Sequence, residues 1–169
     1  MAQTPISTIL DTFMEEGIKL TPIGATLLGV PGLDDQLDDL SMAGNTKRSD
    51  LTRKTLAALN AEKPVNEYDR IARDVAVERL TSELNLSDTH EAHILFNLIS
   101  SPVKNIRQVF EMMKKDQPDT IANVTKCLNG IEAALEGWKS TLTTVAEKGK
   151  VNSRRQALAT AGQLETFSN

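Results

Sequence analysis

The 169-residue chain has almost no cysteine, few aromatic residues and no basic segment. Its single cysteine, Cys127, excludes a disulfide within the chain and is typical of a reducing compartment. A formal net charge of −4 argues against a nucleic-acid partner, because affinity for polyanions comes mainly from lysine and arginine. No apolar run approaches the ~20 residues of a membrane span, and the first residues do not resemble a secretory signal. The sequence therefore predicts a cytoplasmic protein that binds neither nucleic acid nor membrane.

Apolar residues at helical spacing dominate the rest of the chain. Hydrophobic residues make up 40% and charged residues 25%, as in an ordinary globular protein. The length suits one domain, residues 1–169. In almost every segment the apolar residues recur every three to four positions, with no alternation typical of strands. We expect an all-α fold, an irregular bundle or array of about six to eight helices with no substantial sheet.

Capping residues and prolines indicate where several helices begin. Thr4 precedes a proline at the start of the first helix, Asn66 caps a longer helix, and Ser101 precedes a proline at the start of another. The inward face of the first helix is predicted to hold five apolar residues: Ile6, Ile9, Leu10, Phe13 and Met14.

The segments without such signals are assigned from their apolar spacing and their turn residues. Residues 21–41, which contain glycines and an acidic run, are predicted to be mostly loop with one short turn at 25–28. A helix is predicted over 48–61, ending before a proline, and a last helix over 153–167. The inward residues of the last helix are predicted to be Ala157, Leu158, Ala161 and Leu164.

The helix after Asn66 has apolar residues on two roughly opposite faces. One face holds Tyr68, Ile71 and Val75, and the other holds Val77, Leu80 and Leu84. We expect such a helix to be covered on both sides, either in the centre of an array or beneath a further domain.

A heptad rhythm runs through the longest apolar pattern and predicts a narrow seam for antiparallel helix packing. The seam consists of Ile121, Val124, Leu128, Ile131, Leu135, Trp138, Leu142 and Val145. Asn129-Gly130 is typical of a helix C-terminus and predicts a break or kink within it.

The sequence DTHEAH, residues 88–93, contains both histidines of the chain. On a helix, His90 and His93 would lie about 60° apart, within reach of one metal ion, with Glu91 between them. A catalytic zinc needs a third protein ligand, and there is no third histidine. Asp88 and Glu91 also have the spacing of a capping box before an apolar run, Ile94, Leu95, Phe96 and Leu98. We therefore predict a helix start, with His90, Glu91 and His93 as the less favoured metal site.

Other candidate chemistry is weaker. The aspartates of the acidic run, Asp34, Asp35, Asp38 and Asp39, lack the alternating spacing of a calcium loop, so a solvated loop is predicted. Cys127 has neither histidine nearby in sequence and no setting that would lower the pKa of its thiol, so it is predicted to be a core or boundary residue. Arg154 and Arg155 are predicted to form salt bridges or face solvent rather than bind an anion. Because nucleotide, serine-hydrolase and dithiol motifs are absent, we assign no catalytic or cofactor-binding residue.

Five blocks of the sequence, taken in order, resemble the bacterial family known as domain of unknown function 885. They are PIGATLLGVPGLDDQLDDLS, NEYDRIARDVAVERLTSELNL, SSPVKNIRQVFEMM, IEAALEGWKSTL and VNSRRQ. The family resembles helical zinc metallopeptidases, and the resemblance implies that its HExxH-type motif lies well downstream of these blocks, in chains more than twice this long. The resemblance implies an N-terminal helical portion of a hydrolase, as a truncation, a fragment or a shortened paralogue. It implies zinc in the longer members only and carries no catalytic residue onto this chain.

Two functional hypotheses follow from the resemblance and from the two-sided helix. The first is a non-catalytic helical segment that packs against a catalytic domain absent from this chain and helps to wall a long substrate cleft. The second is a stand-alone helical interaction protein that buries its spare apolar face in a homodimer. A small metalloenzyme built on His90, Glu91 and His93 is the third and least favoured possibility.

Overall fold

The computed structural model describes residues 3–94, 96–97 and 99–168, and these residues form eight helices and no strand. The predicted all-α class is confirmed. None of the helices described has the combination of length and apolarity that crossing a membrane requires. The helices are α1 (Pro5–Leu20), α2 (Pro22–Leu27), α3 (Met42–Ala61), α4 (Glu67–Asp88), α5 (Glu91–Ile94), α6 (Pro102–Met112), α7 (Thr120–Glu147) and α8 (Arg154–Ser168).

The helix starts predicted from capping residues are confirmed. Thr4 forms a reciprocal capping box with Ser7 at the start of α1. The side chain of Asn66 accepts from the backbone N–H of Asp69 at 2.9 Å, and Ser101 accepts from that of Lys104 at 3.2 Å. Each cap satisfies one backbone donor that the first turn of a helix leaves free.

The predicted starts of α2 and α3 are too late. Helix α2 begins at Pro22, where proline suits the first helical position. Helix α3 begins at Met42, because Ser41 accepts a hydrogen bond from the backbone of Gly44 at 3.2 Å. Gly44 has no room for a side chain, since a Cβ there would lie 2.2 Å from the carbonyl oxygen of Asp39. The acidic loop thus folds tightly against the first turn of α3.

The buried residues form two separate hydrophobic clusters. One joins α1, α3 and α4 through Ile6, Leu56, Leu59 and Leu80. The other joins α2, α6 and α7 through Ile23, Ile106, Val109, Met113, Cys127 and Ala134. Of the five residues predicted on the inward face of α1, Met14 is exposed.

Helix α7 continues through Asn129-Gly130, so the predicted break is wrong. The glycines of α7 serve close packing instead. A Cβ on Gly130 would lie 3.6 Å from the side chain of Leu37, and one on Gly137 would lie 3.1 Å from the backbone nitrogen of Ser41. The loop that precedes α3 therefore packs directly on α7.

The predicted inward faces of α7 and α8 are only partly right. Ile121 and Leu128 of the heptad seam are exposed, whereas the buried residues of α7 are Cys127, Ala134, Trp138, Thr141 and Val145. In α8, Ala157, Leu158 and Ala161 are exposed, Leu164 is half-buried, and Thr160 is buried. The seam is displaced because α7 packs on a loop as well as on helices, which no heptad pattern anticipates.

Candidate functional site

The sequence DTHEAH lies at the end of a helix, so the predicted helix start at Asp88 is wrong. Asp88 is the last residue of α4, and Thr89 donates its backbone N–H to Asn85 at 3.0 Å. His90 then adopts φ +62°, the left-handed conformation that commonly ends helices. Glycine usually occupies this position, and a histidine there gave no recognisable stop signal in the sequence. The predicted apolar run includes Leu95 and Leu98, which lie outside the described residues.

The two carboxylates predicted to form the capping box hold other segments in place. Asp88 forms an ion pair with Arg53 of α3. Glu91 accepts from the Lys150 ammonium at 2.7 Å, which ties α5 to the segment after α7. Both acidic side chains therefore act over long distances in sequence and not within one helical turn.

His90 and His93 come together, with their ring centroids 5.8 Å apart. The Lys148 ammonium lies 2.9 Å from Nε2 of His90. Because a lysine ammonium only donates hydrogen bonds, Nε2 must accept and Nδ1 must carry the proton. That Nδ1 is buried and has no hydrogen-bond partner. His90 thus presents an unused buried donor.

His93 lies in cationic surroundings. Burial lowers the pKa of its imidazole, and His90, Arg48 and Lys148 lower it further. Its side chain lines two neighbouring clefts, with volumes of about 140 and 210 Å³. A neutral imidazole between these clefts can donate or accept a hydrogen bond.

The residues around the histidines do not fit a zinc centre. Glu91 pairs with Lys150, and the Lys148 ammonium contacts the first imidazole. Across the described part of the chain, no three histidine, cysteine, aspartate or glutamate side chains are grouped so that they could hold a metal ion. Zinc sites in proteins use at least three such ligands.

The sequence predicted that the aspartates of the acidic run are solvated. In the structure they instead hold neighbouring segments in place. Asp34 accepts from Thr26 at 2.8 Å, Asp35 pairs with Lys126 at 2.8 Å, and Asp38 accepts from the backbone of Ile23 at 3.0 Å. Asp39 accepts from both the backbone and the hydroxyl of Ser41. Burial raises the pKa of Asp38, whereas the contact with Lys126 lowers that of Asp35.

Cys127 is a core residue, as predicted. Its side chain is 1% exposed, and its Sγ donates to the carbonyl of Asp34 at 3.4 Å. Burial is the main cause that raises the pKa of the thiol, with Asp35 and Asp34 adding to it. Since the thiolate is the reactive form, this cysteine is poorly suited to nucleophilic chemistry.

Helix α4 is covered on one side only within the described residues, which excludes the first of the two predicted arrangements, a position in the centre of an array. Leu80 is buried, with Val77 and Leu84 packed beside it. The opposite face forms a line of exposed apolar side chains that we call the α4 stripe. It consists of Tyr68, Ile71, Val75 and Leu86, which are 78%, 48%, 57% and 44% exposed.

A second apolar surface is a groove between α6, α7 and α8, which the sequence did not predict. Its volume is about 490 Å³, and Arg107 at its rim lies 5.0 Å from the ring of Phe167. Leu128 is exposed because it faces this groove rather than a neighbouring helix. The other lining residues are Val103, Ile106, Phe110, Ile131, Leu135 and Leu164.

Fold and surfaces together define an all-helical protein with exposed apolar faces. Its described residues contain no cluster of metal-ligating side chains. The family described as bacterial protein of unknown function (DUF885) matches residues 22–169, and the chain belongs to this family. The resemblance found in the sequence is thereby confirmed. No curated protein is similar enough to be matched to the chain.

Proposed function

We propose that this chain is a non-catalytic helical segment that packs through the α4 stripe against a catalytic hydrolase domain. The exposure of the four stripe residues carries the proposal. The class of partner comes from the resemblance of longer family members to zinc metallopeptidases. In this arrangement the chain supports the catalytic domain and helps to wall its substrate cleft. A cytoplasmic location is part of the same proposal.

The α4 stripe has the extent of a docking surface. From Tyr68 to Leu86 it covers about 27 Å of helix, at 1.5 Å per residue. Isolated exposed apolar side chains are ordinary, but several of them on one helix face mark an interaction surface. Burying the exposed part of each side chain would contribute roughly 1 kcal/mol.

The charges beside the stripe favour burial of its apolar residues. Arg70 contacts Glu67 at 2.5 Å and Asp74 at 3.1 Å, both on the same helix. Because these side chains already pair with one another, a partner needs no matching charge to cover the neighbouring apolar residues. Hydrophobic contact is therefore the main source of affinity.

A large partner accounts for the surfaces better than a second copy of the chain. The α4 stripe belongs to the α1, α3 and α4 part of the fold, whereas the groove lies between α6, α7 and α8. A twofold dimer uses one patch on each subunit and would leave the other surface uncovered. In family members more than twice as long as this chain, the catalytic domain would make up more than half of the protein and could contact both the stripe and the groove.

The test is association with the region of a longer family member that contains its HExxH-type motif. The two polypeptides are co-expressed, and the mass of the purified complex is measured by light scattering. We expect a one-to-one complex that the substitution Ile71→Glu weakens at least tenfold, since a charge would be buried in an apolar contact. Leu158→Glu, the same change at an exposed leucine of α8, should leave the complex intact.

Three outcomes count against the proposal. One is the absence of any complex with the unsubstituted chain. Another is hydrolysis of peptides or small amide conjugates by this chain alone. The third is a dimer of the chain that Ile71→Glu dissociates, which would make a second copy the partner of the stripe.

A further inference from the structure

A polar cleft of about 140 Å³ lies where α3 passes the end of α4. It is separate from the α4 stripe and from the apolar groove. The left-handed residue His90 forms part of its wall, and backbone strain of this kind is concentrated at functional sites. The other lining residues are Met42, Asn45, Thr46, Ser49, Arg53, Ser87, Asp88 and His93.

The cleft wall contains more hydrogen-bond donors than the fold uses. The Nδ1–H of His90 is buried without an acceptor. The hydroxyls of Ser49 and Ser87 lie 2.7 Å apart, so one hydroxyl hydrogen joins them and the other is left to donate. Asn45 accepts from Arg48 through its Oδ1 at 2.7 Å, which leaves its amide nitrogen as a donor.

The charges near the cleft favour an anion over a cation. Lys148 contacts His90 at 2.9 Å, and Arg48 and Lys148 both lower the pKa of His93. Arg53 lies in the cleft wall and pairs with Asp88 there and with Asp50 outside it. Arg53 is thus shared between two carboxylates, so the positive charge beside the cleft comes from Lys148 and Arg48.

We propose that this cleft binds a small tetrahedral oxyanion, a phosphate group, through His90 Nδ1–H, the Ser49 and Ser87 hydroxyls, the Asn45 amide and Arg53. An unused buried donor costs free energy, and an acceptor oxygen in the cleft removes that cost. A phosphate oxyanion offers several acceptor atoms in a compact shape, which matches donors from two helices, α3 and α4, and from the turn that follows α4. Free phosphate and the phosphate of a monoester share this chemistry.

A divalent metal does not satisfy the same groups. A metal ligand needs a nitrogen lone pair, whereas Nδ1 of His90 carries a proton as long as Lys148 donates to Nε2. The nearby ammonium and guanidinium groups would also repel a cation. The same two histidines that suggest zinc in the sequence thus suit an anion in the fold.

The test is calorimetric titration of the chain with inorganic phosphate at constant ionic strength, together with the ¹⁵N resonances of the two imidazoles. We expect saturable binding and a shift of the His90 Nδ1 resonance. The variant His90→Gly, which tolerates the left-handed backbone, should weaken binding about tenfold or more, the usual effect of losing a hydrogen bond to a charged group. Ser49→Ala should weaken it several-fold. A parallel titration with O-phosphoserine distinguishes a phosphomonoester from free phosphate.

Lys139→Gln is the control, because it removes one exposed cation of α7 that pairs only with Glu136. Binding should be unchanged in this variant. The proposal is overturned if phosphate fails to bind, or if Lys139→Gln weakens binding as much as His90→Gly. It is equally overturned if zinc shifts both imidazoles and phosphate shifts neither.

Discussion

The hydroxyl of Thr4 donates a hydrogen bond to Oδ1 of Asp69 at 2.5 Å, which joins the first residues of α1 to those of α4. The other carboxylate oxygen of Asp69 accepts from the backbone of Val65 at 3.2 Å. Asp69 is buried, so its carboxylate depends on these partners and on the positive ends of the two helices. This single side chain therefore aligns two helices that are more than sixty residues apart in sequence.

We expect the substitution Asp69→Ala to lower the free energy of unfolding by about 2 kcal/mol, since it leaves the partner donors unsatisfied. The measurement is urea denaturation followed by circular dichroism. Glu67→Ala, two residues earlier, removes only an exposed, solvent-screened ion pair with Arg70 and should have a much smaller effect. Equal losses for both variants would show that Asp69 does not hold the helices together.

Replacing glycine with alanine should have opposite effects on stability at two positions. Gly44→Ala should destabilise the protein by about 1–3 kcal/mol, because the new Cβ would collide with Asp39. Gly162→Ala, in α8 with nothing within 4 Å, should stabilise it by about 0.5–1 kcal/mol through its higher helix propensity. Thermal unfolding of both variants tests the pair, and a neutral Gly44→Ala would contradict the tight packing of the loop on α3.

Cys127 should react slowly with Ellman's reagent in the folded protein at neutral pH. The side chain is buried, and burial raises the pKa of its thiol, so both access and the thiolate fraction are low. In denaturant the chain should react at once with one equivalent of the reagent, since it contains one cysteine. Rapid labelling without denaturant would place the cysteine at the surface.

Because of His93, we expect the free energy of unfolding to fall as the pH falls below about 6.5, the ordinary pKa of an imidazole. Burial, followed by His90, Arg48 and Lys148, lowers the pKa of the folded imidazole, so the unfolded chain takes up a proton before the folded chain does. The comparison is between urea denaturation at about pH 7.5 and about pH 5.5. In His93→Gln the loss of stability over this range should be smaller, and an unchanged loss would assign it to other groups.

Local signals predicted the helices well, because a helix start depends on a few neighbouring residues. Thr4, Asn66 and Ser101 all cap as expected. The start of α3 escaped prediction because Ser41 is followed by a glycine that is required by contact with Asp39 and not by the helix itself.

The candidate site escaped prediction because its contacts join distant segments. Asp88 and Glu91 fit a capping box by spacing, yet their partners are Arg53 and Lys150. The unused donor of His90 depends on Lys148, 58 residues later. No local pattern contains that pairing.

The most direct test of the proposed docking function is photo-crosslinking from the α4 stripe. Tyr68 is replaced with p-benzoylphenylalanine, the chain is mixed with the proposed catalytic region of a longer family member, and crosslinked peptides are identified by mass spectrometry. The account predicts crosslinks from position 68 to that region, and none when p-benzoylphenylalanine replaces Leu158 instead. Crosslinks from position 68 only to a second copy of this chain, or none to any other polypeptide, would contradict it.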